Sequence, residues 1–273
     1  MTHENKESRK GFFLKKIQEK ILRKRQGLVK LEKNNKESRM NYKNPLITGR
    51  IKGLYKDLIL DVELENGDIV QALCPESNFK NMLYKNEITA YLTQSQDTRR
   101  RVGYICQMID KGDGLVFINY KYKNILFIEG FAHGIMAEDF GGYNHIREIR
   151  NDDEELKHVN FELRDDNNSK AYVYVANIYN KQGTEIVFPS TINFFELEML
   201  EELRRMRYNG HESYICLIVP REDCMDARFV WNQNPIAAAK LYEEIKNGLK
   251  LCCYSCNVNE KSVSITKKMR ILY

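Results

Sequence analysis

The chain has 273 residues, 42% of them hydrophobic and 30% charged, with a formal net charge of +5. That length supports one or two globular domains with a buried core, and no apolar run nears the roughly 18–20 residues that span a bilayer. The charge is uneven: residues 1–39 hold 13 Lys and Arg against 5 Asp and Glu, while the remainder holds 30 against 33, so the basic character belongs to the first segment and the body is mildly acidic.

In chain order, residues 8–32 carry Phe13, Ile17, Ile21, Leu28 and Leu31 at helical spacing. The rest of that stretch is Lys, Arg, Glu and Gln. It reads first as a solvated or loosely docked helix, and second as a basic helix that touches phosphates. The apolar cluster at 12–14 is too short for a secretory leader, and five glutamates before position 40 argue against a mitochondrial one. A cytoplasmic setting is expected. Met40 opens a segment that would stand as a protein without this tail, and is a candidate start.

From 44 to 110 the pattern is all strand, at 46–52, 58–64, 69–74, 87–93 and 103–109. Alternation puts Asp61 and Glu63 on one face and Leu60, Val62 and Leu64 on the other. Asn66-Gly67 between two strands is a hairpin signal. Five short strands in this span predict a small barrel such as an OB-fold.

After Gly114 the texture changes. A helix is predicted over 122–136, followed by strands at 146–150, 158–163 and 172–178. Asn193 with Glu196 three positions on makes a capping box for a second helix. A strand at 214–219 follows, then a helix opened by Asn234-Pro235 and stopped by Gly248, then a strand at 249–254. This order predicts an α/β unit with helices covering a mixed sheet.

The seven cysteines are odd in number and mostly inside apolar runs, which fits reduced thiols and no disulfide framework. Cys253 and Cys256 have CxxC spacing without a second pair, and on a strand they point to opposite faces, so no zinc site is expected. The histidines show no paired ligand spacing. Trp231 reads as a packing residue.

Several blocks after Met40 occur in an order and spacing that resemble one family. They are Asn44-Pro45-Leu46 with Gly49, Tyr55-Lys56, Asp61-Val62-Glu63-Leu64 with Gly67, Cys74-Pro75, Arg100-Arg101 with Tyr104, Asn119, Asn124, Arg147-Glu148, Asn177, Phe188-Pro189, and the stretch from Gly248 to Tyr254. Together they resemble the bacterial sugar fermentation stimulation protein family, SfsA. The family's first residues correspond to about Met40, so the basic helical extension, taken over 1–43, is an addition to it. The resemblance implies an α+β protein: an OB-fold-like β-barrel over 44–110 and an α/β restriction-endonuclease-like domain of the PD-(D/E)xK kind over 111–273. It also implies DNA binding, with nuclease activity proposed for the family.

Metal-dependent phosphodiester cleavage needs carboxylates to hold Mg²⁺ or Mn²⁺, and a lysine commonly steadies the developing charge. The family's Ser-Arg-x-Asp aligns with Lys157-His158-Val159-Asn160, and its Glu-Val-Lys aligns with Tyr174-Val175-Ala176. Asn160 offers a neutral oxygen, and Tyr174 and Ala176 supply neither carboxylate nor amine. Glu148 survives. Glu162, two residues from Asn160, would share its face on a regular strand, so Glu148, Asn160 and Glu162 form a migrated site as an alternative. Glu162 as a solvent-facing strand residue is the favoured reading. The charged block after Phe188-Pro189 is replaced by Phe194 and Phe195.

The expected function is therefore binding of DNA or RNA by a degenerate, inactive nuclease fold without a cofactor. Tyr55, Lys56, Arg99, Arg100, Arg101 and Arg147 are the candidate contacts, by base stacking and phosphate tracking. For Tyr55 itself, packing in the barrel is favoured. The alternatives are an active Mg²⁺- or Mn²⁺-dependent nuclease built on Glu148 and Glu162, and a non-catalytic protein-interaction module. No membrane partner is expected, and a homodimer is left open.

Overall fold

The alternation of apolar and polar residues builds the first half. The computed structural model describes residues 40–55, 58–76, 87–95, 102–149, 153, 155–189 and 197–273. The expected tail helix and the Asn193–Glu196 capping box lie outside the described residues. After β1 (Met40–Asn41) come β2 (Ile47–Tyr55), β3 (Ile59–Leu64), β4 (Ile69–Leu73), β5 (Thr89–Gln94) and β6 (Tyr104–Asp110). β2 pairs with β3 and β5, β3 with β4, and β5 with β6, all antiparallel. A parallel contact of β4 with β6 closes the ring, so the five strands form a closed barrel. Register shifts in β2 and between Tyr91 and Leu92 bend the strands, as closing so small a ring requires. Leu60, Val62, Ala72, Ala90, Leu92 and Cys106 are fully buried inside. Gly67 takes φ +85° in the predicted turn, a conformation glycine adopts without cost.

β7 (Leu115–Phe117) pairs with β6 outside the ring and leads to α1 (Lys123–Ala132) and the short α2 (Ala137–Phe140). The predicted helix over 122–136 ends four residues early, where Gly134 turns the chain at φ +74°. Next come β8 (His145–Glu148), β9 (Phe161–Arg164), β10 (Lys170–Asn177), β11 (Lys181–Gln182), β12 (Glu185–Phe188) and α3 (Leu197–Tyr208). The chain ends with β13 (Glu212–Val219), β14 (Asp226–Phe229), α4 (Pro235–Lys246), β15 (Lys250–Val258), β16 (Ser262–Lys268) and β17 (Arg270–Leu272). Asn234 caps α4 by accepting from the Ala237 amide at 3.1 Å.

A seven-stranded sheet runs β1-β16-β15-β13-β10-β9-β8, with β10, β13 and β15 parallel. These central strands are apolar on both faces because both are covered. Tyr214, Cys216 and Ile218 of β13 join one core with Phe127 of α1; Ile215, Leu217 and Val219 join another with Leu200 and Leu203 of α3 and Leu241 of α4. Cys253 and Cys256 fall in opposite cores, as strand alternation requires. A second sheet, β11-β12-β14-β17, has no counterpart in the predicted elements. Its strands are two to four residues long and too charged to show a period. Among the described residues no helix is long and apolar enough to cross a membrane.

Barrel and sheet meet at a charged joint. Arg221, fully buried, donates to Asp223 at 2.5 and 2.6 Å and to Asp113 of the β6–β7 turn at 3.3 Å. Lys181 pairs with Asp223 and lies 3.7 Å from Asp113. The Phe117 amide donates to the Pro220 carbonyl at 2.9 Å.

Candidate functional site

The site begins with a main-chain problem. β10 pairs with β9 from Lys170 opposite Arg164 to Val173 opposite Phe161, and there β9 ends. Beyond that point the edge N–H and C=O of Val175 have no strand partner, and unpaired buried backbone groups are costly. Two side chains take the strand's place. Asn160 Oδ1 accepts from the Val175 amide at 2.7 Å, and Lys123 Nζ donates to the Val175 carbonyl at 2.8 Å. The Asn160 amide in turn donates to the Val173 carbonyl, and the Asn160 carbonyl accepts from Ile149, both at 2.9 Å.

Lys123 and its neighbour Asn124 open α1 and tie it to two strands. Lys123 Nζ also lies 5.2 Å from the Tyr174 ring centroid, within cation–π range. Asn124 Nδ2 donates to Glu148 Oε1 at 3.1 Å, while Asn124 Oδ1 is buried without a partner. Glu148 is thus tied to α1 through Asn124 and Tyr174 through Lys123, while Asn160 shares with Lys123 only the main chain of Val175. Ala176 is buried in the core beneath α3.

Glu162 stands elsewhere, and the migrated site of Glu148, Asn160 and Glu162 is not formed. In the β8–β9 ladder Arg147 faces Glu162, and Glu148 faces Phe161. Paired residues share a face and successive residues alternate, so the two carboxylates look in opposite directions. Nor is Glu162 solvent-facing: it is 4% exposed. Arg147 donates to it at 2.9 Å and Arg164 at 2.6 and 2.9 Å, Tyr172 OH lies at 3.4 Å and Lys170 Nζ at 3.8 Å. Burial pushes its carboxyl up, but the two guanidinium groups outweigh burial and hold it below the usual range. A surface hollow of about 390 Å³ opens here, bordered by His145, Arg147, Arg164, Asp165 and Asp166. Its charges largely cancel.

The described residues at these positions do not fit a divalent cation. The Asn160 oxygen is turned onto the main chain, positions 174 and 176 carry no carboxylate, and an ammonium stands beside them. Among the described residues no group of three His, Cys, Asp or Glu side chains converges.

Of the predicted contacts, Arg147 keeps its side chain 49% exposed despite its bond to Glu162. Tyr55, expected to pack in the barrel, is instead 55% exposed at the end of β2. Leu54 before it packs against the barrel core, so the position of Tyr55 falls outward. Lys56, Arg99, Arg100 and Arg101 lie outside the described residues. Trp231 packs on Phe229 and Tyr242 as predicted but stays 48% exposed. Lys123 was missed by sequence reasoning. The available signal was its place at the first position of a helix, where a positive charge opposes the helix dipole and so calls for a tertiary reason.

Comparison with known proteins agrees with this architecture. The family model described as "Sugar fermentation stimulation protein RE domain" matches residues 121–262. A sugar fermentation stimulation protein homolog of Caulobacter vibrioides is 27% identical over 227 residues, 82% of this chain and 94% of that protein. One from Nitrosococcus oceani is 25% identical over 236 residues, 85% and 99% of the two chains. The solved structure of Pyrococcus furiosus SfsA in complex with Ca²⁺ matches with a TM-score of 0.71 at 13% identity, over 87% of this chain and 99% of that one, which speaks for a shared fold. With more than half its length matched by the family model, the chain belongs to the sugar fermentation stimulation protein family.

Proposed function

We propose that this protein binds nucleic acid, DNA foremost, through an OB-type barrel and a restriction-endonuclease-like sheet that no longer cleaves. The observation that carries this reading is the fate of Asn160. Where hydrolysis needs a carboxylate aimed at a metal ion, the side-chain oxygen caps the Val175 amide at 2.7 Å. The charge at this position is absent although Glu148 is kept, which favours holding a polyanion over cutting it.

On this reading the extension over 1–43, the barrel over 44–110 and the sheet region over 111–273 act together in the cytoplasm. Residues 1–39, Lys56, Arg99, Arg100, Arg101 and Arg147 meet phosphates, and the exposed ring of Tyr55 stacks on a base. Binding by phosphate contact releases counterions, so affinity falls steeply with salt and depends weakly on sequence. Fluorescence anisotropy with a labelled oligonucleotide across a salt series tests this, and deleting residues 1–39 should weaken binding strongly. Unchanged affinity after the deletion would remove the tail from the interface. Magnesium- or manganese-dependent cleavage that disappears in Glu148→Ala would replace the reading with that of an active nuclease.

A further inference from the structure

The binding reading uses the ring of Tyr55 and leaves a larger aromatic cluster at the end of the small sheet without a task. We propose that Trp231, Tyr242 and Tyr273 form a stacking platform for the unpaired bases of single-stranded nucleic acid, with Lys240 and Lys246 beside it for the phosphates. The proposal rests on the nucleic-acid reading and deepens it.

The cluster is built around Phe229. That side chain ends β14, is 4% exposed and meets Phe188 edge-on. Trp231 lies 5.3 Å from it and Tyr242 6.2 Å, and these two rings meet each other edge-on at 5.2 Å. In the β14–β17 ladder Arg228 faces Leu272, so the next residues, Phe229 and Tyr273, lie side by side, and their rings stack at 5.9 Å. Phe229 is thus a buried floor, while Trp231 is 48% and Tyr273 65% exposed. Contact with the floor orders the outer rings before anything binds, which lowers the entropy lost on binding. Aromatic surface grouped in this way and left in water marks a contact site.

Charge selects the occupant. Arg228 closes on Glu185 and Arg270 on Asp226 with two hydrogen bonds each. Glu244 pairs with Arg204 and Arg207, and Glu243 acts on Arg204. These groups balance. Lys246 stands 4.7 Å from the Tyr242 centroid, and among the described residues neither it nor Lys240 has a carboxylate partner. The rings therefore border on surplus positive charge. Aromatic faces next to ammonium groups suit a strand of bases and phosphates, and a duplex keeps its base faces in its own stack.

Trp231 is the one tryptophan of the chain, so its fluorescence reports on the platform directly. The test titrates the full chain with oligothymidine and with a blunt duplex, reading tryptophan emission and, in parallel, anisotropy of the labelled oligonucleotide. Oligothymidine should quench the emission saturably, with the same midpoint as the anisotropy, and the duplex should not. Trp231→Ala should weaken single-strand binding about tenfold and leave duplex affinity unchanged, and Trp231→Phe should restore most of the loss. Lys246→Gln should lower the slope of log K against log salt by about 1. Tyr208→Ala, which removes an exposed ring outside the cluster, should change nothing. Binding by anisotropy with unaltered emission overturns the platform and leaves the nucleic-acid reading standing. Failure to bind any oligonucleotide overturns both. Quenching by a polyproline peptide in place of the oligonucleotide, or self-association that Trp231→Ala abolishes, would give the surface to a protein partner and overturn the proposal. Should Trp231→Ala fold poorly, the emission titration of the unaltered protein and the affinity of Tyr273→Ala decide.

Discussion

Glu148 and Glu162 stand on opposite faces of one antiparallel pair, Glu162 opposite Arg147 and Glu148 opposite Phe161. Bringing both to one ion would need a one-residue slip of register, which would turn Phe161 and Leu163 out of the core. Phe161 stacks on Phe127 at 4.8 Å and is fully buried, so the slip is opposed by a large apolar loss. Single Glu148→Ala and Glu162→Ala variants should therefore show no shared manganese site. Calorimetric uptake that requires both carboxylates would refute this register.

Glu162 instead neutralises a cluster of cations from below. Removing it in Glu162→Ala leaves Arg147, Arg164 and Lys170 facing one another around an emptied buried position. The guanidinium groups left behind are 49% and 43% exposed and regain water, so the expected loss is that of charge-assisted hydrogen bonds, about 1.5–3 kcal/mol. Urea unfolding monitored by circular dichroism measures it. The same change frees Arg147, so oligonucleotide affinity per folded molecule should rise.

The joint between barrel and sheet should be the acid-sensitive element. Burial raises the Asp223 carboxyl, but hydrogen bonds from Arg221 and Lys181 outweigh it and bring it to about 2. A carboxyl lowered on folding stabilises fully above its unfolded value near 4. That contribution is lost as pH falls from about 4 through 2. Linkage puts it at roughly 1–2 kcal/mol after allowing for partial exposure. Urea midpoints measured between pH 5 and 2.5 should fall more steeply for the unaltered protein than for Asp223→Asn.

How much of this was readable beforehand depends on distance along the chain. The barrel strands were, because Leu60 and Val62 face inward and Asp61 and Glu63 outward in one unbroken alternation. The second sheet was not. Its strands are held by Arg228 on Glu185 and Arg270 on Asp226, pairings of residues more than forty positions apart that leave no local period. Asn160 was legible as a missing carboxylate, yet its use as a cap for Val175 depends on where β9 ends. The strand predicted from 158 begins only at Phe161, and that shortfall creates the vacant edge. Lys123 was invisible for the same reason, since its contact spans 52 residues.

Closure of the barrel should hinge on Gly49. It is paired on both sides, with Leu64 of β3 and Ala90 of β5. A Cβ placed there would meet Val62 Cγ1 at 2.6 Å and the Glu63 carbonyl oxygen at 2.7 Å. The second neighbour is backbone, held in the β3 ladder, and cannot rotate away as a flexible side chain would. Gly49→Ala must push β2 from β3, and overpacking of this kind costs about 1–3 kcal/mol. Gly53, four residues along the same strand, has nothing within 4 Å of a built Cβ. Gly53→Ala should be neutral or slightly stabilising through the lower entropy of the unfolded chain. Thermal unfolding of the two variants side by side separates steric closure from any general intolerance of β2 to substitution. Equal midpoints would mean that the β2–β3 contact does not govern closure.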